Sequence, residues 1–220
     1  MKNVILNNGT EIPEIGFGTW QTTESVQKTL KAALEAGYRH IDTADIYGNE
    51  EEIGEAIEES GIERKDLYLT TKVWNSNRSA QGVKYSVEQS LKKLKTNYLD
   101  LLLIHRPANE TQFENWKDIN AETWKAMEEL YKSGVVKTIG VSNFMLPQIK
   151  ALLETAEVIP AVNQIEFHPG YTQQSVVDFC KERGIAIEAW SPIGSGRLLK
   201  DEHLKDIADK YDVSPAILCI

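Results

Sequence analysis

Short apolar runs rich in Val, Ile and Leu alternate along this chain with longer amphipathic stretches whose apolar residues recur at helical spacing. The apolar runs are Ile15–Thr19, His40–Ala44, Leu67–Val73, Leu99–His105, Val136–Val141, Ala161–Glu166 and Ile185–Trp190. Each is short enough to be a strand buried on both faces. The amphipathic stretches between them include Ser25–Glu35, Glu50–Glu59, Val83–Leu94, Ala121–Lys132, Leu146–Leu153 and Gln173–Arg183. Several stop at a glycine (Gly37, Gly61, Gly134, Gly184), the residue that ends helices in left-handed geometry. The rhythm predicts an α/β fold of repeated βα units around a parallel sheet, with about seven strands on one plan.

Ahead of this rhythm, Val4–Leu6 and Thr10–Ile12 flank Asn7-Asn8-Gly9 and predict a small hairpin that caps the amino-terminal end of a barrel. The longest irregular stretch runs from Arg106 to Asn120 and contains Phe113 and Trp116; a loop of that length after a strand often carries function. After Trp190 come a glycine-rich turn, a helical stretch His203–Lys210, and a new helical run opened by Ser214-Pro215. An eight-stranded barrel requires another βα unit after this point. The expectation is therefore a barrel whose last βα unit is missing from this chain, a truncated product of a longer parent, with strand edges left exposed. No linker or composition shift divides residues 1–220, which read as a single domain.

With 41 % hydrophobic and 26 % charged residues, the 220-residue chain can bury a sizeable core. Its net charge of -9 offers no basic field to nucleic acid or to an anionic membrane. No stretch approaches the ~20 apolar residues of a membrane span, and Met1-Lys2-Asn3 lacks the core of a secretory signal, so a cytoplasmic protein is expected. Cys180 falls in a helical pattern and Cys219 near the end, and both read as structural rather than disulfide-forming. His, Cys, Asp and Glu show no metal-ligand spacing, and the Gly-x-Gly-x-x-Gly fingerprint is absent, so a dinucleotide would bind a barrel rather than a Rossmann sheet.

In a parallel barrel the active site lies at the carboxyl ends of the strands. Asp42 and Tyr47 stand at the end of the second strand, Lys72 at the third and His105 at the fourth. A lysine cation beside Tyr47 would lower the phenol's pKa from about 10 toward a range where it can give a proton to a carbonyl, with Asp42 holding the lysine charged. Taken singly, each residue also fits a structural role: a buried ion pair for Asp42 and Lys72, a loop aromatic for Tyr47, a satisfied strand-end imidazole for His105. Ser142 and Asn143 likewise fit a cap for the helix beginning near Leu146. Trp20, Trp74 and Trp116 follow strand ends and would line an aromatic substrate pocket. His40 and His168 read as structural, and His203 as a solvated helix residue.

Taken together, Gly16-Phe-Gly-Thr-Trp20, Asp42-Thr-Ala-Asp-Ile-Tyr-Gly48, Thr71-Lys72, Leu103-Ile-His-Arg-Pro107, Gly140-Val-Ser-Asn-Phe144, Asn163-Gln-Ile-Glu166 and Trp190-Ser-Pro192 resemble the aldo-keto reductases, in order and over nearly the whole chain. The resemblance implies a (β/α)8 TIM barrel that reduces small aldehydes or ketones to alcohols. It implies hydride from NADPH, with NADP+ as its oxidised form, and a proton from Tyr47 tuned by Lys72 and Asp42, with His105 orienting the carbonyl. It places Gly18, Thr19, Ser142, Asn143 and Gln164 near the nicotinamide, Trp190 against the ring face, and Ser191, Ile193, Ser195 and Arg197 in a pyrophosphate loop. The family's 2′-phosphate contacts follow an eighth strand, so the preference for NADPH is inherited from the resemblance and NADH stays open. A full-length barrel of this kind would be a monomer, an open one a possible oligomer. Two other roles are compatible with the same residues: a truncated, impaired or cofactor-binding regulatory barrel, and a phosphate-binding isomerase or lyase using Lys72 as a Schiff base.

Overall fold

The computed structural model describes residues 2–22 and 25–220; Met1, part of the amino-terminal reading, lies outside them. Strands β1 (Asn3–Ile5) and β2 (Glu11–Pro13) pair antiparallel around the Asn-Gly turn, where Gly9 takes a φ of +83° that side chains resist. The hairpin is where the turn chemistry predicts it, each strand displaced by one residue. Its Leu6 and Ile12 pack with Tyr68, Leu101, Leu103, Ala161 and Val162, closing the amino-terminal mouth of the sheet.

Seven parallel strands follow: β3 (Gly16–Gly18), β4 (His40–Asp42), β5 (Tyr68–Val73), β6 (Leu101–Ile104), β7 (Ile139–Ser142), β8 (Val162–Glu166) and β9 (Ala186–Trp190). They lie side by side in chain order, β3 to β9, forming a near-barrel whose two edges among the described residues are β3 and β9. The observed strands are trimmed versions of the predicted ones, except that β7, which starts late, runs one residue further, to Ser142. Leu99 and Val136, for example, meet only in an isolated bridge, and the paired ladder begins further along both strands.

Helices α1 (Val26–Glu35), α2 (Glu50–Glu59), α3 (Ala80–Lys93), α4 (Trp116–Lys132), α5 (Leu146–Leu153) and α6 (Gln174–Lys181) separate the strands, and α7 (Glu202–Lys210) and α8 (Pro215–Cys219) follow β9. Outward-facing Ile41, Leu69, Leu102, Ile104, Ile139, Val141 and Ile165 form the main core with the helices. The predicted irregular stretch Arg106–Asn120 is shorter than its sequence suggests, because α4 already begins at Trp116. The cause is tertiary: the amide of Asn120 bonds both the N–H and the C=O of Ala108, folding the preceding segment back onto the helix. No helix of the described residues is long and apolar enough to cross a membrane.

Candidate active site

Asp42 is the last residue of β4, and its backbone carbonyl accepts from the N–H of Thr19 at 2.9 Å and from its hydroxyl at 3.1 Å. The chain then turns through one 3-10 turn, Asp45–Tyr47, closed by Gly48 at a φ of +71°, which presents Tyr47 over the strand end. Lys93 of α3 reaches Asp45 at 3.2 Å and ties this turn to the barrel wall. Lys72, 2 % exposed on β5, donates to Asp42 Oδ1 and, at 2.9 Å, to the carbonyl of Thr43. Its ammonium lies 5.2 Å from the centre of the Tyr47 ring. His105 follows β6, its ring edge-on to Tyr47 at 5.7 Å and to Trp74 at 4.9 Å. The four groups that the sequence places on three separate strands therefore share one mouth.

Burial is the largest influence on Lys72, His105 and Tyr47. It disfavours the Lys72 ammonium, yet the combined pull of Asp42, Tyr47 and Glu188 outweighs it and holds Lys72 above the ordinary lysine range. Burial also keeps His105 neutral, with its pKa lowered to about 3, helped by the nearby Lys72 cation. For Tyr47 the expected lowering is overturned: burial raises the phenol's pKa, and the opposing effect of Lys72 does not cancel it. Lys72 acts in the expected sense but against a larger desolvation cost. A lysine held charged in this way is a poor nucleophile, which argues against Schiff-base chemistry.

Around this centre, Ser142 is the last residue of β7 rather than the first beyond it, and donates to the carbonyl of Gln164 at 2.9 Å. Asn143, at a φ of +62°, commits its amide within the protein: Nδ2 donates to the carbonyl of His105 and to Ser142 Oγ, and Oδ1 accepts from Trp190 Nε1 at 3.0 Å. Neither residue caps α5, whose cap position is Met145, so the capping alternative is corrected. The cap fails because Ser142 still belongs to the ladder and points into the barrel. Gly18 pairs with Asp42 in register, and Thr19 is buried beside it. Past Trp190, Ser191, Gly194, Ser195 and Gly196 all have positive φ, and Ile193 sits among them. Within this turn the N–H groups of Gly194 and Gly196 are given to the carbonyls of Ser191 and Ile193. The Arg197 guanidinium lies 3.0 Å from His168 Nε2, which in turn faces Glu166.

Of the three tryptophans expected to line the substrate pocket, Trp74 is brought against His105. Trp20 is 57 % exposed just after Thr19, and Trp116 opens α4 with Lys117 near its ring. His40 is buried with its Nε2 2.9 Å from Thr70 Oγ1, and burial lowers its pKa to about 4, in keeping with a structural role.

Sequence reading missed Glu188. It lies on β9, two residues before Trp190, and its Oε1 accepts from Gln164 Nε2 at 3.0 Å; the same nitrogen donates to Asp42 Oδ2 at 2.8 Å. Glu188 as a whole is half-buried, but its Oε2 is enclosed without a partner. Burial, reinforced by the Asp42 charge, raises its pKa to about 8. The only sequence signal was parity, since a residue two before Trp190 shares its face of the strand. The fold brings ligand atoms of His40, Asp42 and Glu188 within 4.8 Å of one another, a group that spacing along the sequence does not show. Lys72 and Gln164 already occupy both Asp42 oxygens and Glu188 Oε1, so the cluster reads as a hydrogen-bonded network rather than a metal centre.

The chain matches known proteins over nearly its whole length. Residues 14–220 match the Aldo/keto reductase family. The chain is 46 % identical over 215 residues to the glyoxal reductase of Bacillus subtilis (strain 168), covering 97 % of this chain and 75 % of that protein. It is 41 % identical over 246 residues to the glycerol 2-dehydrogenase (NADP(+)) of Saccharomyces cerevisiae, covering 100 % of this chain and 78 % of that protein. The crystal structure of an aldo/keto reductase from Brucella melitensis superposes with a TM-score of 0.91 at 46 % identity, covering 99 % of this chain and 82 % of that one.

Proposed function

The chain belongs to the aldo/keto reductase family and is an oxidoreductase, and from that premise we propose that it reduces a small aldehyde or ketone to the alcohol with NADPH, Tyr47 supplying the proton. The observation that carries this reading is the convergence of Tyr47, His105 and the buried Lys72–Asp42 pair at one strand-end mouth. We read residues 1–220 as one domain built around that mouth.

The residues present fit a nicotinamide dinucleotide. Gln164 turns both amide hydrogens onto the carboxyl groups of Asp42 and Glu188, leaving its oxygen for an outside donor. Trp190 is pinned by its indole N–H, which fixes the ring plane and leaves a face for stacking. In the turn of residues 191–196 the N–H groups of Gly194 and Gly196 are held internally, which leaves those of Ser191 and Ile193 for a pyrophosphate. Gly18, Thr19, Ser142, Gln164 and Trp190 would hold the nicotinamide end, and Ser191, Ile193, Ser195 and Arg197 the phosphates, Arg197 by leaving His168. When bound, NADPH supplies the hydride that adds to the carbonyl carbon.

The chain's own residues supply the rest. His105, neutral at working pH, donates an N–H to the carbonyl oxygen and holds it against the Tyr47 hydroxyl. Tyr47 then releases its proton to that oxygen, and the adjacent Lys72 cation stabilises the phenolate left behind, Asp42 keeping Lys72 in place. Trp74, with Trp20 and Trp116 at the rim, would give the substrate an aromatic wall. Tyr47→Phe should lower NADPH-dependent carbonyl turnover by about 10²–10⁴-fold, the usual worth of a positioned acid. NADPH affinity, followed by quenching of tryptophan fluorescence, should stay within about twofold, since the ring is kept and only a hydroxyl lost. Undiminished turnover in that variant would overturn the assignment.

A further inference from the structure

The side chain of Gln164 can be turned either way about its last bond, and only one orientation presents an acceptor to a ligand. In this fold the choice is made by two acids. Asp42 Oδ2 and Glu188 Oε1 both take hydrogens from the same nitrogen, at 2.8 and 3.0 Å. Turning the amide over would set its oxygen against the Asp42 carboxylate and leave acceptors facing one another in a buried place, a cost of about 1–3 kcal/mol per unmet group. Asp42 Oδ1 is occupied by Lys72, and the register β8–β9 puts Glu188 directly opposite Gln164.

We propose that Glu188 is a positioning residue of the cofactor site: with Asp42 it locks the Gln164 amide so that its oxygen faces the nicotinamide carboxamide. The proposal rests on the carbonyl-reductase reading above. Asp42 alone would hold the nitrogen at one point and leave the side chain free to swing; the second acceptor, from the neighbouring strand, fixes the plane of the amide. At neutral pH Glu188 does this without adding a second buried anion, since burial and Asp42 keep its carboxyl protonated up to about pH 8. The groups facing it are Asp42 and His40 from β4, Lys72 and Tyr68 from β5 and Gln164 from β8, and Lys72 is the one cation among them.

The test is NADPH affinity of the chain, read from tryptophan quenching, with folding followed by circular dichroism. Glu188→Leu removes the acceptor and should weaken NADPH binding about fivefold, the worth of one neutral hydrogen bond. Glu188→Gln keeps an oxygen that can accept from Gln164 and should restore affinity to within about twofold of wild type. A merely structural role would lower the fraction of binding-competent protein, and hence the amplitude, with the dissociation constant unmoved. Should Glu188→Leu fail to fold, Glu188→Asp, which withdraws the acceptor by one methylene, carries the same expectation at about threefold. Wild-type affinity in Glu188→Leu, or in Glu188→Asp where that variant decides, overturns the proposal, as does an equal loss in Glu188→Gln and Glu188→Leu. Tyr47→Phe keeps two failures apart: turnover equal to wild type defeats the carbonyl-reductase reading, whereas lost turnover beside an unmoved Glu188→Leu affinity defeats the Glu188 proposal alone. A wild type without saturable NADPH binding overturns both.

Discussion

Two histidines of the barrel interior are held uncharged by burial, and this makes the fold sensitive to acid. His40 is pushed down to about 4 and His105 to about 3, both from an ordinary 6.5. In each case the folded-state pKa lies below the unfolded one, so the stabilisation is present above pH 6.5 and is lost as pH falls toward 4. His40, almost wholly buried, contributes up to about 1.4 kcal/mol per pH unit in that window. The melting temperature should therefore fall between pH 7 and pH 4, and His40→Gln, which can still meet Thr70, should show a shallower fall. Parallel melting curves for the two proteins would refute this.

Among the elements, α2 and α3 show how close packing constrains a single position. A Cβ built on Gly54 of α2 would lie 2.3 Å from the carbonyl oxygen of Lys93, backbone that cannot swing aside. Alanine gains about 1 kcal/mol of helix propensity over glycine. Against this, forcing the end of α3 away should cost about 1–3 kcal/mol and also disturb the Lys93–Asp45 bond that steadies the Tyr47 turn. Gly54→Ala should lower the melting temperature by a few degrees; an unchanged or raised value would show that the helices can part freely. Element ends were readable where the signal is local: α2 and α5 begin and end where their periodicity says, and Gly37, Gly61, Gly134 and Gly184 all adopt positive φ just past their helices. They were unreadable where the stop is set elsewhere in the fold, as at α4, whose start depends on Asn120 meeting Ala108.

Across the whole molecule, protection against hydrogen exchange should follow the order of the sheet. The middle strands β5, β6 and β7 are hydrogen-bonded on both sides and sealed by helices, whereas β3 and β9 each have one paired neighbour among the described residues. Amide exchange should be slowest in Tyr68–Val73, Leu101–Ile104 and Ile139–Ser142, and faster by about tenfold or more in Gly16–Gly18 and Ala186–Trp190. Uniform protection across all seven strands would mean that the edges are as well supported as the centre. Exposed Leu199, Ile207, Tyr211, Ile217 and Ile220 lie beyond β9, in keeping with a less covered end of the molecule.

The sequence by itself determined the βα rhythm, the amino-terminal hairpin and the placing of Asp42, Tyr47, Lys72 and His105 at strand ends, because periodicity, turn chemistry and strand parity are local properties of neighbouring residues. Only the tertiary structure decided how strongly each of those groups is perturbed and what it meets. The net upward shift of Tyr47 and the meeting of Gln164 with Asp42, 122 positions away, follow from the curving of the sheet. That curvature brings distant strands face to face in an interior with little water, where desolvation and hydrogen bonding set each group's charge.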